Sequence, residues 1–186
     1  MTLSVLMVAM FLPPDSGGER GWYLARALRS RGARVLAVTN LFPHFGGARP
    51  RARELRESVE VLRLPNLPVR YAGLLPRLLL FLSFAFWVPF LAILTLGRRV
   101  DVVYSRGPHP FVDLPALLVA RLRRARLVLD VTDLWPEVLR VVMGPGTLQR
   151  AVELVGYALN AMVLRRADLV VTHTRSLSLI LKRRYG

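Results

Sequence analysis

The sequence predicts an α/β protein: a doubly wound, parallel, Rossmann-like sheet of about six strands with helices on both faces. Three observations carry that expectation. Short apolar runs alternate with longer helical stretches along the chain, which is the pattern of a parallel sheet built from βαβ units. Glycines and carboxylates collect just after the apolar runs, where an open α/β sheet binds its ligands. Finally, 186 residues of which 53% are hydrophobic suffice for one domain, residues 1–186, with a full core.

Leu3 to Met10 is a continuous apolar run, suited to a central strand, and it breaks into Pro13, Pro14, Asp15, Ser16, Gly17 and Gly18. It lacks the basic segment and small-residue cleavage site of a signal peptide, so it reads as a strand. Glu19 to Arg31 places Trp22, Leu24, Ala25 and Leu28 at helical spacing and stops at Gly32, and Val35 to Thr39 completes a βαβ unit. Asn40 to Arg53 reads as a loop long enough to be a functional or mobile segment, and Val59 to Leu64 as the third strand.

Leu78 to Leu96 contains nineteen residues without a charge, between Arg77 and the pair Arg98–Arg99. Hydropathy alone makes it a transmembrane helix. A span, however, would put the strands before and after it on opposite sides of a bilayer, where they could not share a sheet. It is therefore expected to be a crossover helix, kinked at Pro89, with one face on the sheet and the other available to a membrane interface or a partner. Leu80, Phe84, Trp87 and Leu91 are assigned to that interface. Asp101 to Ser105 is the fourth strand, followed by the loop Arg106-Gly-Pro-His-Pro and a helix from Phe111 to about Arg124. Leu127 to Val131 is the fifth. A helix near Thr147 to Arg165, a strand from Asp168 to Thr172 and a helix from Ser176 complete the chain.

The stretch LVLDVTDLWPE (Leu127 to Glu137) holds most of the chemistry, because its strand delivers Asp130, Asp133, Trp135 and Glu137 to the sheet's carboxyl end. Pro136 can open a helix there, with Glu137 in its first turn. Asp133 has a plainer reading as an Asx turn or cap, and Trp135 as packing. The first βα turn suits a phosphate, since glycines let backbone N–H groups approach an anion at a helix N-terminus. As a dinucleotide fingerprint it is imperfect: Ser16 stands first in G-x-G-x-x-G, Gly18 and Gly21 fill the rest, and the second strand ends without an acidic residue. His44, His109 and His173 fall in or near strand-to-helix loops, where imidazole can serve as acid, base or phosphate donor.

The formal charge is +15, and 26 of the 27 cationic side chains are arginine. Such a surface suits nucleic acid, an anionic membrane or phosphorylated substrates. Nucleic acid is disfavoured, because the aromatic residues, Trp22 apart, lie mostly in apolar runs and do not interleave with arginines. Arg49, Arg51, Arg53 and Arg56 either meet phosphates or are solvated; Arg121, Arg123, Arg124 and Arg126 read as a solvated helix end. There is no cysteine, so disulfides and thiolate metal sites are excluded, and no histidine spacing suggests a metal.

The turn FLPPDSGGERGWYLARALRSRG, the strand DVVYSRGPHP and above all LDVTDLWPE resemble the N-terminal domain of GT-B glycosyltransferases of family 4, in the subgroup that builds cell-surface polysaccharides. The resemblance runs from about Leu3 to Tyr185. It implies one half of a GT-B fold and a retaining transfer of a sugar from a nucleotide-sugar to a lipid-linked or saccharide acceptor, with this domain on the acceptor side. It places Gly17 and Gly18 against the donor diphosphate, and Asp133 in a loop where many relatives carry a histidine close to the transferred sugar; Arg106 is assigned with the two glycines to phosphate binding. Asp133, Glu137 and His109 are the catalytic candidates. No cofactor is expected beyond the nucleotide-sugar, held mainly by a second, C-terminal Rossmann domain. That domain is expected to be absent from this chain, either because it is a separate polypeptide or because the chain is a fragment; the spaced glutamate pair it carries has no counterpart here. The expected location is the cytoplasmic face of the cell membrane, peripherally bound. The rival reading is a non-catalytic subunit that anchors a catalytic partner to the membrane.

Overall fold

Val5 through Ala9 are all buried, because β1 (Ser4–Ala9) is a central strand and both its faces are covered. A computed structural model describes residues 2–13, 19–42, 50–68, 73–106, 110–137 and 144–186. After β1 come α1 (Glu19–Ser30), β2 (Arg34–Asn40), β3 (Arg53–Arg56) and β4 (Val59–Leu64). Then follow α2 (Leu74–Trp87), a 3-10 turn (Val88–Phe90), α3 (Leu91–Leu94), β5 (Val102–Arg106) and α4 (Asp113–Arg123). The described chain closes with β6 (Arg126–Val131), α5 (Thr147–Leu164), β7 (Leu169–Thr172) and α6 (Arg175–Tyr185). The sheet order is β3-β4-β2-β1-β5-β6-β7, parallel except for β3. The chain winds outward in one direction from β1 to β2 and β4 and in the other from β5 to β7, so the order reverses between β1 and β5. That boundary is where a doubly wound sheet opens a crevice at its carboxyl edge.

The strands expected from sequence are present, with one addition. Arg53–Arg56, the end of the expected long loop and the residues after it, pairs antiparallel with β4 through a hairpin whose central residues, Glu57 and Ser58, have φ of 46° and 64°. Two successive left-handed residues are the mark of a type I′ turn, which matches the strand twist. The last helix opens one residue early, at Arg175, with the Thr174 hydroxyl accepting from the Leu177 N–H at 3.2 Å. The helix expected at Pro136 is not seen among the described residues: 135–137 form a turn with a cis Trp135–Pro136 peptide, and residues 138–143 lie outside them.

Two apolar layers sandwich the sheet. On one face, Trp22 and Ala25 of α1 cover Val5, Met7, Ala9, Val35, Ala37 and Tyr104. On the other, α2, α3, α4, α5 and α6 cover Leu6, Val8, Val103, Leu127 and Leu129. Here the expected membrane residues require correction. Leu80, Phe84 and Leu91 are 2%, 0% and 0% exposed and belong to this second layer, while only Trp87, at 37%, reaches solvent. Each buried side chain of this kind contributes about 1.5–3 kcal/mol, so the sheet, not the solvent, claimed that side of the helix. The break at Pro89 is as expected: a 3-10 turn separates α2 from α3. Because β4 and β5 flank this segment within one sheet, it does not cross a bilayer, although Leu75–Leu94 is long and apolar enough, with a mean hydropathy of 2.1.

Two aspartates stitch the amino edge. Asp101 Oδ2 accepts from the Ser4 N–H at 2.9 Å and Asp168 Oδ2 from the Leu127 N–H at 2.8 Å, so each ties the start of its strand to a neighbour. The Arg99 side chain and the Ser4 N–H, both bonded to Asp101, hold its carboxyl below the ordinary aspartate value.

Candidate functional site at the carboxyl edge of the sheet

Tyr104 of β5 lies opposite Val128 of β6 in the parallel ladder. Because side chains alternate, Arg106 and Asp130, two residues further along each strand, share the face that Tyr104 occupies. The register thus brings a phenol, a guanidinium and a carboxylate together beside the switch point. Asp130 is 1% exposed. Its Oδ2 accepts from the Tyr104 hydroxyl at 2.5 Å and lies 3.6 Å from Arg106 Nε, and its Oδ1 lies 2.9 Å from Arg20 of α1. Two cations face one carboxylate, so Arg20, Arg106 and Asp130 together keep one net positive charge beside the first turn of α1, where the helix dipole is positive too and where the exposed Glu19 stands on the outer side. Burial, followed by the hydrogen bond to Asp130 and its charge, pushes the Tyr104 phenol well above its ordinary value, against a weaker opposite pull from Arg106 and Arg20. Tyr104 is therefore a neutral donor at physiological pH.

Gly21, the last glycine of the imperfect fingerprint, explains how α1 comes so close. A Cβ there would stand 3.2 Å from Leu12 Cδ2 and 3.6 Å from the Arg106 guanidinium. The position is therefore used for helix-to-strand packing. Gly17, Gly18 and His109, expected to complete the site, lie outside the described residues, as does His44. Arg106 is described, and it stands at the switch point with its side chain mostly covered.

On the other side of β1, a second polar group shapes the same edge. Asn66, which follows β4, accepts from the backbone N–H groups of Leu41 and Phe42, both at 2.9 Å, and the Thr39 hydroxyl donates to the Met10 carbonyl at 3.0 Å. Both residues are buried: Asn66 ties the end of β4 to the end of β2, and Thr39 ties β2 to the end of β1. On the opposite face of β5, the Ser105 hydroxyl donates to Asp113 Oδ1 at 2.5 Å, which seats the start of α4 against the strand.

The DLWPE turn is locked by its neighbours. Trp135 stands edge-on to Phe111, with ring centroids 5.9 Å apart, so packing is its observed role. Asn160 of α5 donates to the Trp135 carbonyl at 2.5 Å. Glu137 is ion-paired with Arg184 of α6, which commits its carboxylate to holding the turn and leaves it poorly placed to orient a substrate. Asp133, in contrast, is exposed just past β6, and its Oδ2 accepts from the Thr132 hydroxyl at 3.1 Å. Of the expected pair, only Asp133 presents a carboxylate to solvent.

Two arginines of the edge hairpin have side-chain partners: Arg53 pairs with Glu60, and Arg56 lies over the Trp22 ring at 5.2 Å. These contacts favour a structural role over phosphate binding for those two; Arg51 is held through its backbone carbonyl, which accepts from Arg63 at 3.0 Å, and Arg49 lies outside the described residues. Sequence reasoning missed Arg20, Tyr104 and Asn66. One signal was available for Arg20: a cation in the first turn of a helix opposes the dipole unless a carboxylate meets it. A cavity of about 410 Å³ opens at the opposite, amino edge between Arg29, Arg34, Arg98 and Arg99, away from the switch point.

A doubly wound sheet of this order, with helices on both faces, matches one half of a GT-B fold. The chain belongs to the glycosyl transferase 4-like domain family, which matches residues 17–186. Among solved structures it is similar to a glycosyltransferase from Rickettsia africae ESF-5, with a TM-score of 0.55 and 14% identity over 99% of this chain and 40% of that one. It is also similar to the catalytic domain of starch synthase IV from Arabidopsis thaliana bound to ADP and acarbose, with a TM-score of 0.52 and 16% identity over 70% of this chain and 34% of that one. The chain thus spans between a third and two fifths of these neighbours' length. None of the curated proteins matches it.

Proposed function

We propose that the domain is the acceptor-side half of a membrane-peripheral, retaining glycosyltransferase of the polysaccharide-building kind, moving a sugar from a nucleotide-sugar to a lipid-linked or saccharide acceptor. The observation that carries the reading is the family match over 17–186, which covers Arg20, Tyr104, Arg106, Asp130 and Asp133. In this reading Arg20 and Arg106, held by Asp130, supply positive charge beside the first turn of α1, where a phosphate of the donor would come to rest. Asp133, free of an ion pair among the described residues, orients or deprotonates the acceptor hydroxyl. A second Rossmann domain, on the same polypeptide or another, grips the nucleotide and closes the cleft.

The test is reconstitution. The 186-residue chain alone should show no sugar transfer, and adding a nucleotide-binding Rossmann domain of the same enzyme should produce it. Turnover by the 186-residue chain alone would overturn the half-enzyme reading. Membrane recruitment without any transfer in the reconstituted pair would favour the anchoring-subunit reading.

A further inference from the structure

The segment from α2 to α3 is apolar on both sides, and only one side is used by the sheet. While Leu80, Phe84 and Leu91 fill the core, Leu75, Leu82, Phe86, Phe90, Ile93 and Leu96 point outward, with Phe86 and Ile93 62% and 63% exposed. Most recur at intervals of three or four residues along one continuous stripe. Phe86, Trp87 and Phe90 form a solvent-facing cluster at the Pro89 break, with ring centroids 5.3 to 5.6 Å apart. The neighbouring helix α4 extends the patch with Leu118 and Leu122, both exposed and one turn apart. A soluble surface rarely gathers this much apolar area without a partner.

Charge identifies the partner. No Asp or Glu occurs between Glu60 and Asp101, nor between Asp113 and Asp130, and Asp113 itself is buried. The stripe therefore carries no exposed carboxylate of its own, and it is bounded by Arg77, Arg98, Arg99, Arg121, Arg123 and Arg124. At its amino-edge end, Glu60 and Asp101 are ion-paired with Arg98 and Arg99 and offset much of their charge, so the bounding cations without an ion pair among the described residues are Arg121, Arg123 and Arg124. A second copy of the chain would set arginine against arginine. An anionic bilayer offers both the apolar depth and the phosphates that this pattern fits.

We propose that the outer faces of α2, α3 and α4 form the surface on which the domain lies, flat, on an anionic bilayer. Because α2 begins after the carboxyl end of β4, the stripe starts beside the edge that holds Asp130 and Asp133. Docking in this way leaves the switch-point crevice open sideways, along the bilayer, where a lipid-linked acceptor arrives. The inference rests on the functional reading only for that last step; the docking itself is read without turnover.

The test is co-sedimentation of the 186-residue chain with vesicles of phosphatidylcholine, with and without phosphatidylglycerol. Binding is expected with phosphatidylglycerol, weakened by salt and by its omission. Phe86→Glu and Ile93→Glu should each lower partitioning by at least about tenfold, the factor set by losing one buried Phe or Ile side chain. Tyr23→Glu, at an exposed tyrosine of α1 on the opposite face of the sheet, should leave binding unchanged. Trp87 fluorescence in the unmodified chain should be quenched by brominated lipid, which needs no variant. Absence of vesicle binding, equal binding by the Phe86 and Ile93 variants, or a lipid-free dimer that Phe86→Glu dissociates would each overturn the proposal. None of these outcomes touches transfer to a soluble acceptor, which tests the catalytic reading separately.

Discussion

Pro136 lies directly on Gly156: a Cβ built on Gly156 would stand 2.7 Å from the Pro136 Cβ. The glycine sits in the middle of α5, where alanine would normally add about 1 kcal/mol of helix stability. Here the contact reverses the sign. Both atoms belong to stiff groups, so Gly156→Ala is expected to push the DLWPE turn off α5 and destabilise the domain by about 1–3 kcal/mol. Urea denaturation measures it, and a more stable alanine variant would show that the turn is loosely held.

Removing Asp130 should cost more than removing either of its cations. Asp130→Ala strands Arg20 and Arg106 beside each other and removes the acceptor of Tyr104, and breaking a buried pair of this kind costs about 3–5 kcal/mol. The low end is expected, since Arg20 still reaches water. Tyr104→Phe should cost about 1.5–3 kcal/mol, the range for a hydrogen bond to a charged group. A double-mutant cycle with Arg20→Ala should show coupling; strict additivity would mean that the pair contributes nothing.

The same cluster sets an alkaline limit. Tyr104 has its folded value raised above the ordinary 10.0, so the folded state keeps a proton that the unfolded chain releases. Its contribution is complete below about pH 10 and is lost as pH rises beyond that. Glu60 behaves oppositely: burial raises its pKa, yet hydrogen bonds from Arg98 and Arg53 outweigh it and hold the carboxyl below the ordinary 4.5. That contribution is present above about pH 4.5 and is lost as pH falls through the lowered value. Stability against pH should flatten at the alkaline end in Tyr104→Phe and at the acid end in Glu60→Gln, and an unchanged profile in both would contradict the assignment.

Asp133→Asn in the reconstituted enzyme is expected to lower turnover by ~10²–10⁴-fold, the usual range for a general acid–base group. Melting temperature should hardly move, because the side chain is exposed and its bond with Thr132 survives the change. Near wild-type turnover would make Asp133 a surface turn residue and move the weight to His109.

What the sequence revealed, and what it hid, follows from contrast between neighbours. The buried parallel strands were legible because their apolar runs have no competing pattern. β3 was not, since Arg53-Glu-Leu-Arg is charged, lies at an edge and turns through Glu57–Ser58 without the glycine or asparagine that usually marks a type I′ hairpin. The orientation of α2 was hidden for the opposite reason: Leu79 and Leu80 look alike, and a helix apolar all round gives its period nothing to mark. Asp130 was readable as a carboxylate at the working edge. Its partners depend on the pairing of β5 with β6 and on where α1 crosses, and neither is written in local sequence.

The antiparallel strand β3 has a consequence for assembly. With two arginines in four residues, it closes one border of the sheet to strand addition, because an incoming strand would meet charge and a short template. β7 forms the other border and carries only apolar residues and a threonine, Leu169 to Thr172. Among the described residues the two borders of this sheet therefore differ in kind: β3 presents charged side chains, and β7 presents none, on the side of the molecule that also holds the DLWPE turn.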